Sequence, residues 1–386
     1  MTILLYLVAI FSNFLFAYRK KHSKVIIAFS FVIILLLVSG AGPSYDLKQS
    51  RDYLNYSNRY NNIMDESLFD NPQIGYTLLM KFGNLLNLDF FKFRMIVIGI
   101  CFFVIYKLVI KRYAYNYNYM LLLYLLYQII IDSEHFRNFI AMTILLISIR
   151  YLEKKSLKNS IKFSILVLLS ASFHTAFLAY LVLLLMHVSD RKLLIKIIVI
   201  FTILLTVITI INNNRLPVLN ILLSITDDDK IIGYLSTKTN LGYLIPFTLH
   251  IINVLFLYWS KKIASWKKDV PNAMGSNSSN IVFSGGELSD LSIVNLVLWI
   301  NIIGIVFFPL FIMNLQFYRL IRNFLILNYA VYSIVSNKLR SGSLYKFAYN
   351  FSVLVDLGLW FVLDLTVKTS TERVLIPFFT RNYFFN

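Results

Sequence analysis

The feature that most constrains this 386-residue chain is the recurrence of apolar runs, most of them long enough to cross a membrane as a helix. A helix rises about 1.5 Å per residue and the hydrocarbon layer is about 30 Å thick, so runs of roughly 17 to 25 apolar residues carry the argument. They fall at 2–18, 25–41, 93–110, 115–131, 138–152, 161–187, 193–211, 244–260, 290–313, 318–336 and 347–366. Within them apolar and polar residues do not alternate, which argues against a membrane β-barrel. No internal repeat relates one part to another. The expected fold is all-α, a polytopic transmembrane helix bundle with ten or eleven membrane-embedded segments, and residues 1–386 read as one integral membrane domain.

Hydrophobic residues make up 58% of the chain and the mean hydropathy is +0.69. A soluble domain averages about 45 to 50%, and a single soluble core does not absorb the difference. The net charge of +18 would suggest nucleic acid on a soluble protein, but here the basic residues sit in short linkers between apolar runs. That distribution fits linkers held against anionic lipid and leaves no basic soluble domain for nucleic acid. The single cysteine, Cys101, excludes an intrachain disulfide or a cysteine-ligated metal centre. Metal-ligand spacings, phosphate-binding glycine loops and nucleophile elbows are absent, so no metal and no cofactor is expected.

Positive charge assigns sides. The first run has no preceding basic region and is followed by Arg19, Lys20, Lys21 and Lys24, so its start is expected outside. A loop at 42–72, with Asp46, Asp52, Asp65, Glu66 and Asp70, then lies outside. Simple counting fails at Arg191, Lys192 and Lys196, a basic linker that would face out. The contradiction disappears if 161–187 is a broken or re-entrant segment that enters and returns. Asp227 to Asp229 then move outside, while Lys261, Lys262, Lys267 and Lys268, in a polar loop at 261–289, move to the cytoplasm. The small and polar stretch Ser170 to Thr175 offers a place to bend, and a broken helix at membrane depth commonly marks a cavity.

An intramembrane charge costs at least about 2.5 to 3.5 kcal/mol, so each one asks for a partner or a purpose. Arg137 opens one run, His174 sits at the bend, and Arg319 and Arg322 start another on one helical face. All four can face one cavity near the outer surface. Snorkelling to the interface is the plain alternative for Arg137, and a packed core imidazole for His174. In the outer loop, Asp52 precedes Tyr53, Tyr56 and Tyr60, whose spacing forms an aromatic stripe. The stripe can stack on sugar rings or belong to an interfacial aromatic belt. Asp356 and Asp364 are further intramembrane carboxylates, which Lys368 or another helix can pair.

The stretch from Glu134 to Met186, with Arg137, a basic linker and the Phe173–His174 pair, resembles the EpsG family of Wzy-like polysaccharide polymerases. RDYLNY resembles that family's Asp-Tyr-x-x-Tyr element at Asp52, Tyr53 and Tyr56, and Arg319 fits an arginine that precedes an aromatic-rich helix. QIGYTLL resembles a Glu-x-Gly-aromatic element, with Gln73 where the family often has glutamate.

The resemblance implies transfer of a growing glycan from undecaprenyl pyrophosphate to a hydroxyl of the next lipid-linked repeat unit, in the bacterial cytoplasmic membrane with the site facing out. It implies His174, Arg137 and Arg319 as catalytic residues and Asp52, Tyr53 and Tyr56 as substrate-binding, and Arg322, on the same helical face as Arg319, is expected to bind substrate beside them. His174 is either a base or a donor to pyrophosphate. The implied partners are the lipid-linked oligosaccharide, membrane lipids and other polysaccharide-assembly membrane proteins. A lipid-linked oligosaccharide flippase and an O-antigen ligase remain as alternatives.

Overall fold

The computed structural model describes residues 1–19, 23–41, 51–68, 71–214, 241–265, 289–367 and 371–385. Lys20, Lys21, Asp46, Asp70, Asp227 to Asp229, Lys267, Lys268 and Lys368 lie outside them. So do the start of the 42–72 loop and most of the 261–289 loop.

Among the described residues the protein is helical, with one isolated β-bridge between Ala41 and Asn382 and no strand. Five helices are long and apolar enough to cross a membrane: Phe90–Tyr113, Arg191–Ile211, Leu241–Ser265, Asp290–Met313 and Leu344–Leu365. Thr2–Tyr18, Lys24–Gly40 and Thr175–His187 are shorter apolar helices. Each coincides with an apolar run of the sequence, so the chain is an all-α polytopic bundle.

Helix starts are set by polar linkers. Ser23, Asp89, Ser156, Asp190, Ser289 and Ser343 each accept a hydrogen bond from a backbone N–H of the turn they open. Such a cap contributes about 0.5 to 2 kcal/mol and fixes the register at which the apolar run begins. The 115–131 run is two helices, Tyr117–Leu123 and Ile129–Glu134, joined by a π-helical turn at Tyr124–Gln128. The 318–336 run is broken at Asn323 between Arg319–Arg322 and Leu325–Lys338. Leu325–Lys338 is buried continuously from Leu325 to Ser336 and forms the central post of the bundle. Arg191–Ile211 instead buries one thin stripe, leaving Ile200, Ile203, Leu204 and Ile211 exposed on the face that lipid would cover.

Lipid tails are as apolar as leucine, so polar contacts do much of the joining. Asn13 donates to Ser30 Oγ at 2.6 Å and Asn118 donates to Asn13 at 2.8 Å, tying the first two helices to Tyr117–Leu123. Asn301 donates to Asn328 at 2.8 Å, and His250 Nε2 contacts the Asn301 carbonyl at 2.8 Å.

The 161–187 segment breaks at His174, whose backbone is extended (φ −150°, ψ 105°). Before it runs the α-helix Leu157–Phe173, 17 residues and so about 26 Å. After it runs Thr175–His187, 13 residues wound as a 3₁₀-helix, which at about 2.0 Å per residue is again about 26 Å. Two legs of equal length bring the chain back to the level it left. Ser160 Oγ meets His187 Nδ1 at 2.8 Å, and Lys155 donates to Ser189 Oγ at 2.9 Å. The segment is thus broken at His174 and folds back on itself, and each leg is close to a full hydrocarbon thickness in length.

The far end of this hairpin touches the short helix Ile74–Leu85, which with the short helix Arg51–Asn61 forms a crown over one end of the bundle. Arg59 joins them, pairing with Glu66 at 2.5 Å and donating to Thr77 Oγ1 at 2.8 Å. The crown can approach so closely because residue 75 is glycine. A Cβ there would lie 3.0 Å from Ser172 Cβ and 3.2 Å from Phe173 Cε2, and closer still to Ser172 Oγ.

Candidate functional site

Arg137 is the second residue of Phe136–Ser148, just past a kink at His135 (φ −92°, ψ 60°) that separates it from Ile129–Glu134. Its Nε donates to Tyr56 Oη at 3.2 Å, and its Nη1 donates to Gln73 Oε1. The guanidinium lies 5.0 Å from the Tyr56 ring centre and 5.9 Å from that of Tyr76. Both hydrogen-bond partners are neutral, so Arg137 keeps its full charge.

His174 comes to the same place because the hairpin breaks there. Its ring sits 5.7 Å from Phe177, and among the described residues Nδ1 is buried without a hydrogen-bond partner. The Tyr76 hydroxyl beside Arg137 is likewise buried and without a partner. Arg319 follows a 3₁₀-turn, Leu315–Tyr318, opened by Asn314, whose side chain accepts from Gln316 N at 2.8 Å. The Arg137 and Arg319 guanidinium groups are both within electrostatic reach of the His174 ring. Arg137, His174 and Arg319, far apart in sequence, thus converge beneath the crown.

One polar knot holds the three carriers together. Asn138, next to Arg137, donates to Asn323 Oδ1 at 3.1 Å. Asn323, one turn beyond Arg319, donates to Tyr180 Oη at 3.0 Å. Tyr180, in the return leg after His174, donates to the Leu320 carbonyl at 2.7 Å.

Arg322 is placed elsewhere. It is 1% exposed and pairs with Asp364 at 3.2 Å, and Tyr127 also donates to Asp364. Its charge is answered inside the bundle, so the expectation that it contacts substrate gives way to an internal ion pair. That pair also supplies the partner of Asp364. Asp356 accepts from Tyr332 Oη at 3.3 Å.

The tyrosine stripe of Arg51–Asn61 faces the bundle. Tyr60 stacks on Phe93 at 4.7 Å and donates to the Leu88 carbonyl at 2.8 Å. Tyr53 meets Phe90 edge-on at 5.4 Å, and Tyr56 meets Tyr76 edge-on at 6.0 Å. The stripe therefore seats the crown, while Tyr53 and Tyr56, both half-buried, also line a crevice with Arg94 and Glu134. Asp52 is half-buried within electrostatic reach of Arg137 and Glu134.

Sequence reasoning passed over Arg94, Glu134 and Tyr76. Arg94 is 3% exposed, donates to the Ala41 carbonyl at 2.7 Å and to the Ser133 carbonyl, and lies 5.2 Å from the Tyr53 ring centre. An arginine within the 93–110 run was a readable signal, on the same cost argument applied to Arg137. Among the described residues no three His, Cys, Asp or Glu side chains gather as metal ligands would.

Fold and site together define a class: an all-α, multi-pass membrane protein with cationic groups gathered under a crown at one end. Residues 27–378 match the EpsG family, and the chain belongs to that family of Wzy-like polysaccharide polymerases. A function of the polysaccharide-polymerase type follows from this membership. No curated protein and no solved structure matches the chain.

Proposed function

We propose that this protein joins undecaprenyl-pyrophosphate-linked repeat units into a surface polysaccharide at the outer face of the cytoplasmic membrane. The observation that carries the reading is the convergence of Arg137, His174 and Arg319 around buried polar groups that lack partners. In the transfer, the acceptor oxygen bonds to the anomeric carbon of the growing chain while the bond from that carbon to the pyrophosphate oxygen breaks. The departing pyrophosphate carries away the electron pair and needs cationic donors around it. A guanidinium with neutral partners suits this, because its planar fork binds phosphate oxygens in pairs. Arg137 and Arg319 hold the leaving group, and His174 with the Tyr76 hydroxyl donates to its oxygens.

The charge pattern supports an outward placement: the crown lies opposite the hairpin feet, where Lys155 and Ser189 meet and Arg112 pairs with Glu153. The site then faces the compartment in which lipid-linked repeats are assembled into chains.

The test is the glycan length distribution at the cell surface. A strain lacking the protein, and strains carrying Arg137→Ala or His174→Ala at normal membrane levels, are expected to display single repeats without long chains. Loss of surface repeats altogether would indicate a flippase. Normal chain length in both substituted strains would remove this site from the reaction.

A further inference from the structure

The acceptor hydroxyl must give up a proton as it attacks, and arginine cannot take one at ordinary pH. One group of opposite character stands at the edge of the cationic cluster. Glu134 ends the helix Ile129–Glu134, beyond the crown end of the 115–131 run and three residues before Arg137. It is half-buried and lines the crevice shared by Tyr53, Tyr56, Arg94, Ser133 and Phe136.

The charged and titratable groups that act on it come from three neighbouring elements. Asp52 and Tyr56 stand on Arg51–Asn61, Arg94 on Phe90–Tyr113, and Arg319 on Arg319–Arg322. Among the described residues no cation is in ion-pair contact with it. Arg94 is close but directs its Nη groups to the Ala41 and Ser133 carbonyls. Glu134 is thus a carboxyl in a crevice, near cations yet clasped by none. Burial, and then the neighbouring Asp52 carboxylate, raise its ionisation to about 7, against the lowering pull of Arg94 and Arg319. A group poised there takes and returns protons readily near neutrality.

We propose that Glu134 is the general base that takes the proton of the acceptor hydroxyl, with Asp52 as its neighbouring carboxylate. The inference rests on the polymerase reading and divides the site in two. Glu134 faces the acceptor in the crevice, and Arg137 faces the leaving group on the other side of Tyr56. Three residues span at most about 11 Å, so the two groups can flank a single sugar ring. The hydroxyl proton passes to the Glu134 carboxylate as the oxygen bonds to the anomeric carbon. The pyrophosphate leaves with the bonding electrons, and Glu134 later releases its proton to water.

The experiment uses the full chain reconstituted in liposomes, supplied with lipid-linked single repeats extracted from a strain lacking it. Elongation by the wild type is expected to fall as pH drops through about 7, because the base must be unprotonated. Glu134→Gln should slow elongation by about 10² to 10⁴-fold, the usual worth of a positioned base. Glu134→Asp should restore part of it and keep the acid limb, and binding of undecaprenyl pyrophosphate alone should be unchanged in Glu134→Gln.

Wild-type elongation by Glu134→Gln, while Arg137→Ala and His174→Ala fail, would overturn the base and leave the polymerase reading intact. Elongation by all three would overturn both. Loss of pyrophosphate-lipid binding in Glu134→Gln would make the residue structural and end the proposal.

Discussion

Arg137 and Arg322 show how partners decide what an arginine does. Both lie near the start of an apolar run in the sequence and both were candidates for substrate contact. Arg137 meets a phenol and an amide, so its charge remains for an anion, whereas Arg322 meets Asp364 and has none to spare. Asp364→Asn should lower stability in detergent by about 3 to 5 kcal/mol, because it leaves a buried guanidinium unanswered. Replacing the pair together, as Arg322→Met with Asp364→Leu, should recover most of that loss in the same thermal melt, and a double variant as unstable as Asp364→Asn would refute a purely internal role.

Arg319→Lys is the complementary test. It retains charge but not the planar fork, and is expected to shorten surface glycan by about an order of magnitude or more at normal protein level. Wild-type glycan length would take Arg319 out of the site.

At the scale of elements, the hairpin and the crown make the site jointly. His174 reaches the crown because its two legs match in length, and the return leg matches only because it is wound as a 3₁₀-helix. Long 3₁₀ stretches are uncommon and have poorer hydrogen-bond geometry, so contacts to Leu320 and Asn323 through Tyr180 help hold it. The crown contributes Gln73, Tyr56 and Tyr76, and its seat on the hairpin tip depends on Gly75. Gly75→Val would place side-chain atoms against Ser172 and Phe173, forcing the crown off the tip at a cost of about 1 to 3 kcal/mol. Long glycan chains should be lost while the protein still reaches the membrane, and unchanged chains would show that the crown needs no such contact.

At the scale of the whole molecule, a hairpin that returns to the side it entered from would set the side of everything after it. In a Cys101→Ala background, a single cysteine at Asn55, exposed on the crown, should react with an impermeant thiol reagent on intact cells. A cysteine at Ser189, exposed beside the hairpin feet, should react only after the cells are opened. Labelling of Ser189→Cys on intact cells would invert the second half of the chain.

The sequence by itself determined that the chain is helical and polytopic, because each apolar run must satisfy its own backbone in lipid. It also marked 161–187 as the segment that turns back, since the basic linker after it is legible as charge. Arg137, His174 and Arg319 stood out because charged or titratable groups in apolar runs are costly and therefore informative. What tertiary structure alone decided is which of these groups face each other. Arg322 looked like Arg319 in sequence, but the ion pair with Asp364 depends on a helix 42 residues away. The tyrosine stripe read equally as a sugar platform or an interfacial belt, and packing against Phe90 and Phe93 made it a seat for the crown. Periodicity assigns a residue to a face of its own helix. Which partner that face meets is set by how the helices pack, through contacts between residues distant in sequence that no local pattern encodes.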